Sequence, residues 1–99
     1  MRKLLLATTA VALSAGAVSA EDIKIGVILG FTGPIESLTP QMGAAAEMAM
    51  AEVNASGALL GGSTVTSVRG DSTCIDAGAA TAVAERLITS DGVKGIMGA

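Results

Sequence analysis

Apolar residues fall along this chain in two rhythms. Short runs rich in Ile and Val alternate with longer stretches where Ala, Met, Val and Leu recur every three or four positions. The first rhythm predicts strands and the second predicts helices with one buried stripe. Ile23 to Leu29 (IKIGVIL) is nearly continuous and fits a strand covered on both faces. Gly26 within it marks a weakness or a close backbone approach. Gly30 to Pro40 (GFTGPIESLTP) holds two glycines, two prolines and several hydroxyls, and reads as a loop. A helix is expected from about Pro40 to Ala55, with Thr39 as its cap and Pro40 at its first position. Met42, Ala45, Ala46, Ala49, Met50 and Val53 form one stripe, which predicts the buried face and puts Glu47 and Asn54 opposite.

Gly57 fits the left-handed position that ends such a helix. Ser63 to Arg69 (STVTSVR) alternates and is β-branched, which predicts a second strand, suited to a sheet edge. After a loop from Gly70 to Ile75, Asp76 is a good N-cap for a second helix reaching about Ser90. Its apolar stripe is Ala80, Val83, Ala84, Leu87 and Ile88. Asp91-Gly92 turns the chain into a third strand, Val93 to Met97. The fold class is therefore α/β, a β-α-β-α-β order that implies parallel strands with right-handed crossovers. In such sheets ligands bind at the carboxyl ends of the strands. The loops after Leu29 and Arg69 lie there, as does whatever follows Met97.

The segment ahead of the first strand reads differently. Arg2 and Lys3 precede an apolar run from Leu4 to Leu13, and Val18-Ser19-Ala20 supplies small residues. That is the order of a secretory signal peptide, and it predicts cleavage after Ala20. A buried N-terminal helix is the alternative, but it seldom combines these three features. Without a lipobox-type cysteine near the cut, the product is expected to be periplasmic and not lipid-anchored.

Removing that leader takes away two of the six basic residues and leaves four against nine carboxylates. An acidic chain without a basic cluster repels phosphate backbones, which argues against nucleic-acid binding. With no His and a single Cys, a His/Cys metal site is not expected, and neither is a cofactor. Seventy-nine residues with one aromatic, Phe31, make a thin core, and small exported domains of this kind usually rely on disulfides. Cys74 has no partner in the sequence. It reads as a free thiol, half of an intermolecular pair, or a half-cystine whose partner lies beyond residue 99. The chain is accordingly expected to be the N-terminal part of a longer protein.

Two sites carry candidate chemistry. Gly30-Phe31-Thr32-Gly33-Pro34 follows the first strand, but it matches neither G-x-G-x-x-G nor the P-loop pattern. It reads as a small-molecule contact loop or as a simple connecting turn, with nucleotide binding kept open only by Asp71 at the end of the second strand. Cys74 as a nucleophile lacks a histidine base. Asp71 and Asp76 beside it suit loop solvation and helix capping better than acid/base work.

The order IKIGVILGFTGP, then MGAAAEMAMAEVNASGALLGG, then a strand, then RGDSTCIDAGAATAVAERLITSDGVKGIMGA resembles the periplasmic branched-chain amino-acid-binding family. These are the type I solute-binding proteins of ABC transporters. The resemblance spans the chain after the leader. It implies two α/β lobes joined by a hinge that close over a small-molecule ligand, with residues 21–99 forming the first part of the N-terminal lobe. It implies a membrane permease as partner and no catalysis. It also implies a disulfide from Cys74 to a cysteine just after the third strand. The chain departs from the family pattern in a longer loop, Ile35 to Gln41, and in Met42 where an aromatic residue is usual; Met can line an apolar pocket but cannot stack as a ring does. The expected first-lobe contacts are Phe31, Thr32, Ser37, Thr39 and Met42, while Glu36 is a solvated carboxylate or a partner for a ligand ammonium. An exported enzyme on a doubly wound fold and the ectodomain of a receptor are the competing readings.

Overall fold

The computed structural model describes residues 19–98. The expected leader therefore lies outside the described residues except for Ser19 and Ala20. Five elements follow: β1 (Asp22–Leu29), α1 (Thr39–Ser56), β2 (Thr64–Asp71), α2 (Ala77–Thr89) and β3 (Gly95–Gly98). The three strands form one parallel sheet in the order β2-β1-β3. The α/β class and the element order are as the sequence predicts, with bounds within about two residues.

The central strand β1 is covered on both faces, and Gly26 to Leu29 are all buried. On one face Ile28 packs with Leu87 and Val93, flanked by Val68, Val83 and Ala84. A Cβ at Gly26 would sit 2.9 Å from Leu87 Cδ1, and one at Gly70 would sit 2.7 Å from Val83 Cγ1. The two glycines form a notch that seats α2 on the sheet, which explains a glycine inside a strand. Leu87 is wholly buried there, whereas Ile88, placed on the same stripe by the sequence, stays 57% exposed. Asp76 caps α2 as expected, its carboxylate accepting from the N–H groups of Gly78 and Ala79 at 2.8 and 3.1 Å.

The other face carries α1, because Arg69 and Gly70 are neighbours on β2 and so point to opposite sides. Here the predicted buried stripe holds only at Ala46 and Met50. Met42 and Val53 are 50% and 41% exposed, and Ala45 and Ala49 are exposed too. The residues turned toward the sheet are Gly43, Ala46, Glu47, Met50 and Asn54, a stripe rotated by about 100° from the expected one. The cause is on β2. Its α1-facing side carries Ser67 and Arg69, which need polar partners. Glu47 accepts from Ser67 Oγ (3.2 Å), Arg69 Nε (2.7 Å) and Arg69 Nη2 (3.0 Å). Asn54 donates from Nδ2 to the Val65 carbonyl at 2.9 Å and accepts from the Val65 N–H at 2.7 Å. Its amide thus stands in for a strand neighbour along the open edge of β2, which lies at the edge of this sheet as its sequence suggests.

The N-terminus of α1 also differs from expectation. Leu38 occupies the cap position and no side chain caps the helix. Thr39 lies inside the first turn, wholly buried, and its hydroxyl donates to the Gly30 carbonyl at 2.9 Å. Pro40 is in the first turn, one position later than predicted, and Gly57 closes the helix at φ 65° as predicted.

Candidate functional site

The parallel register aligns Leu29 with Asp71, so the loops that leave β1 and β2 emerge side by side at the carboxyl edge. They approach closely. The Ser72 N–H donates to the Leu29 carbonyl at 3.0 Å. A Cβ at Gly30 would lie 2.7 Å from Cys74 Cβ, and one at Gly33 would lie 2.9 Å from the Thr73 carbonyl oxygen. Only glycine at these positions lets the two backbones touch.

Asp71 fastens the junction. Its Oδ1 accepts from the N–H of Thr73 (2.9 Å) and of Thr32 (3.3 Å), and its Oδ2 accepts from the Thr32 hydroxyl at 2.6 Å. The Thr32 hydroxyl first, then the Thr73 N–H, hold the Asp71 carboxyl below its usual range, against a smaller opposing effect of desolvation. It is therefore a carboxylate at neutral pH. The sequence offers Asp71 as a loop acid or as a weak pointer to nucleotide binding; the structure makes it the tie between the loops.

The β2–α2 loop is strained. Thr73 and Cys74 are consecutive residues with left-handed backbone, φ 59° and 66°, a conformation that is unusual for a β-branched residue. The Cys74 N–H is held by Ser72 Oγ at 3.2 Å, while Thr73 Oγ1 is buried without a hydrogen-bond partner among the described residues. Cys74 is exposed and unpaired among them. It lines an open, mainly apolar cleft of about 350 Å³ with Ser72, Ile75, Ala77 and Ala80.

Phe31 is half-buried, and the Arg69 guanidinium lies over its ring, 5.0 Å from the centroid. Both pack against Gly43 of α1, where a Cβ would meet Phe31 Cε1 and Arg69 Cζ at 3.2 Å. Glu47 pairs with the same guanidinium. That hydrogen bond is the chief reason the Arg69 pKa is raised and the Glu47 pKa lowered.

The five expected contacts thus separate. Phe31 and Thr32 sit at the joined loops, against Arg69 and Asp71. Ser37 and Met42 are exposed, one in the turn that leads to α1 and the other in its first turns. Thr39 is buried beneath the loop and bound to Gly30, which makes it a support for the loop and not a surface for a ligand. Glu36 is exposed, its backbone N–H bonded to the Gly33 carbonyl. The tie that Asp71 makes to Thr32, and the pair Arg69 and Glu47, are what the sequence reading missed at this edge. Arg69 alternates with Ser67 on one face of β2, and that polar face was the available signal.

A parallel α/β layer with two joined loops at its carboxyl edge is the architecture of half a small-molecule cleft. The sequence agrees. Residues 22–99 match the family model described as "Periplasmic binding protein", and the chain belongs to that family. It is 40% identical over 99 residues to a Leu/Ile/Val-binding protein homolog 7 of Brucella abortus (strain 2308), which covers 99% of this chain and 24% of that protein. It is 37% identical over 79 residues to the Leu/Ile/Val/Thr-binding protein of Salmonella typhimurium and to the Leu/Ile/Val-binding protein of Escherichia coli K12. Each of those matches covers 80% of this chain and 21% of the relative. The chain therefore spans about a quarter of the length of the curated relatives it matches.

Proposed function

We propose that this chain is the opening part of a periplasmic solute-binding protein that captures an aliphatic amino acid for an ABC uptake transporter. The observation that carries the reading is the pair of loops locked together at the carboxyl edge, in a chain 40% identical to a Leu/Ile/Val-binding homologue. The role is capture without chemistry. A solute lands on the first lobe against Phe31 and Thr32, with Ser37 and Met42 at the rim. A second lobe, supplied by residues beyond 99, then closes over it across a hinge. Closure is driven only by contacts that the solute makes better in the closed state. The closed complex is what a membrane permease recognises.

Residues 1–20 direct export and are removed after Ala20. In the oxidising periplasm Cys74 then pairs with a cysteine beyond residue 99. Its exposure at an open cleft leaves it accessible to such a partner. The test is calorimetric titration of the full-length protein with leucine, isoleucine, valine and unrelated polar amino acids, together with small-angle scattering. Saturable one-to-one binding of an aliphatic amino acid, with a smaller radius of gyration on binding, is expected. Absence of binding across the panel, or turnover of the solute, contradicts the proposal.

A further inference from the structure

The open edge of β2 is shut at two points. The Thr64 N–H donates to the Glu21 carbonyl and the Ser72 N–H to the Leu29 carbonyl, each at 3.0 Å, so the even-numbered residues of β2 turn their backbone groups toward β1. Backbone groups alternate in direction along a strand. Val65, Ser67 and Arg69 therefore aim their N–H and C=O groups outward, away from β1. β2 is the outer strand in the order β2-β1-β3, and a row of outward groups on such a strand is a template for another strand. Two side chains interrupt the row. Asn54 of α1 takes both groups of Val65, at 2.9 and 2.7 Å. Arg86 of α2 donates from Nη2 to the Arg69 carbonyl at 3.3 Å. The two helices lie on opposite faces of the sheet, and each sends one side chain round its edge. Ser67, between the two caps, keeps its outward backbone groups uncapped among the described residues.

The placing of the caps is symmetric about Ser67. A two-fold axis there would set β2 antiparallel to β2 of a second copy, with Ser67 facing Ser67 and Val65 facing the second copy's Arg69. These are the residues whose groups point outward, so each pair would be a hydrogen-bonded one. No charged side chain would face its like directly across the pair. Asn54 blocks the Val65 half of each Val65–Arg69 pair and Arg86 blocks the Arg69 half. With both caps in place only the single Ser67 pair is left, which is too little to add a strand.

We propose that the β2 edge is a latent self-pairing surface whose partner is a second copy of this chain, and that Asn54 and Arg86 are the caps that hold it closed. The closure is independent of solute capture.

The test is sedimentation of the full-length protein over a range of concentrations, wild type against Asn54→Ala/Arg86→Ala. Wild type is expected to stay monomeric throughout. The double variant should dimerise reversibly, its mean mass rising toward twice the monomer's as concentration rises. Adding Ser67→Pro deletes an outward N–H and leaves the bonds to β1 in place, so it should restore the monomer. Hydrogen exchange on wild type gives the answer by itself if the variants do not fold. The Val65 N–H should exchange at least about fivefold more slowly than the Ser67 N–H, the scale of one net hydrogen bond, although both point outward. A wild type that already pairs through β2, a folded double variant that stays monomeric, a dimer that survives Ser67→Pro, or equal exchange at Val65 and Ser67 overturns the proposal.

Discussion

Gly30→Ala is the sharpest perturbation of the joined loops. The added Cβ would lie 2.7 Å from Cys74 Cβ, 3.1 Å from the Thr73 carbonyl carbon and 3.2 Å from the Cys74 nitrogen. Carbon atoms rest at about 3.5–4.0 Å, so the loops must part by roughly 1 Å. None of the three atoms is the tip of a flexible side chain. The Thr73 and Cys74 N–H groups are each held by a side chain, Asp71 and Ser72 respectively, and their backbone is already in the left-handed region. Overpacking of this kind costs about 1–3 kcal/mol. Alanine gives back about 0.4–1 kcal/mol by restricting the unfolded chain, because Gly30 does not need a positive φ.

The expected net loss is about 1–2 kcal/mol, read as a lower urea midpoint with an unchanged slope. Solute affinity should fall too, since Thr32 moves with the loop. Introducing Cys74→Gly, with all proteins measured under reducing conditions, removes the nearest clashing atom and suits φ 66°. Gly30→Ala should cost less in that background, a coupling that a double-mutant cycle isolates. A Gly30→Ala protein as stable as wild type, or more so, refutes the close approach of the two loops.

Other perturbations probe the remaining contacts. Asn54→Ala removes two hydrogen bonds to Val65 and should cost about 1–3 kcal/mol, at roughly 1 kcal/mol per bond; a neutral result in denaturation would place Asn54 away from β2. Leu87→Ala empties the notch over Gly26 and Gly70 and should cost about 2–5 kcal/mol by the same assay, whereas Ile88→Ala, at an exposed position, should cost far less. Acid titration should destabilise the protein through Asp71 and Glu47. Both have lowered pKa values in the folded state, so their contribution is complete above the ordinary carboxylate range, about pH 4, and is lost as pH falls through the folded values. Asp71→Asn should flatten that dependence, and an unchanged pH profile would contradict the Asp71 bonds.

The element order was legible because each segment obeys its own period. Ile23 to Leu29 is a continuous β-branched run, Asp76 stands where α2 needs a cap, and Gly57 where α1 must end. The orientation of α1 was not legible from α1 alone. Its apolar stripe through Met42, Ala45, Ala49 and Val53 is real, but the sheet face opposite carries Ser67 and Arg69. Satisfying those groups outweighs burying small aliphatic side chains. Reading β2 first, as a strand with one polar face, would have turned Glu47 and Asn54 inward. At the site, Phe31 and Thr32 were legible as loop residues at a carboxyl edge. The Thr32–Asp71 tie spans 39 positions and depends on the register that sets Leu29 beside Asp71, which no local pattern specifies. Thr39 departs from expectation for a related reason: a hydroxyl before Pro40 has the pattern of a cap, but its side chain satisfies the buried Gly30 carbonyl instead.

Solute capture is tested most directly by native mass spectrometry of the protein purified from periplasm. One small adduct per chain is expected, with the mass of an aliphatic amino acid, that exchanges for isotopically labelled leucine and is lost on unfolding. A folded protein that carries no adduct and takes up no labelled leucine, isoleucine or valine contradicts it.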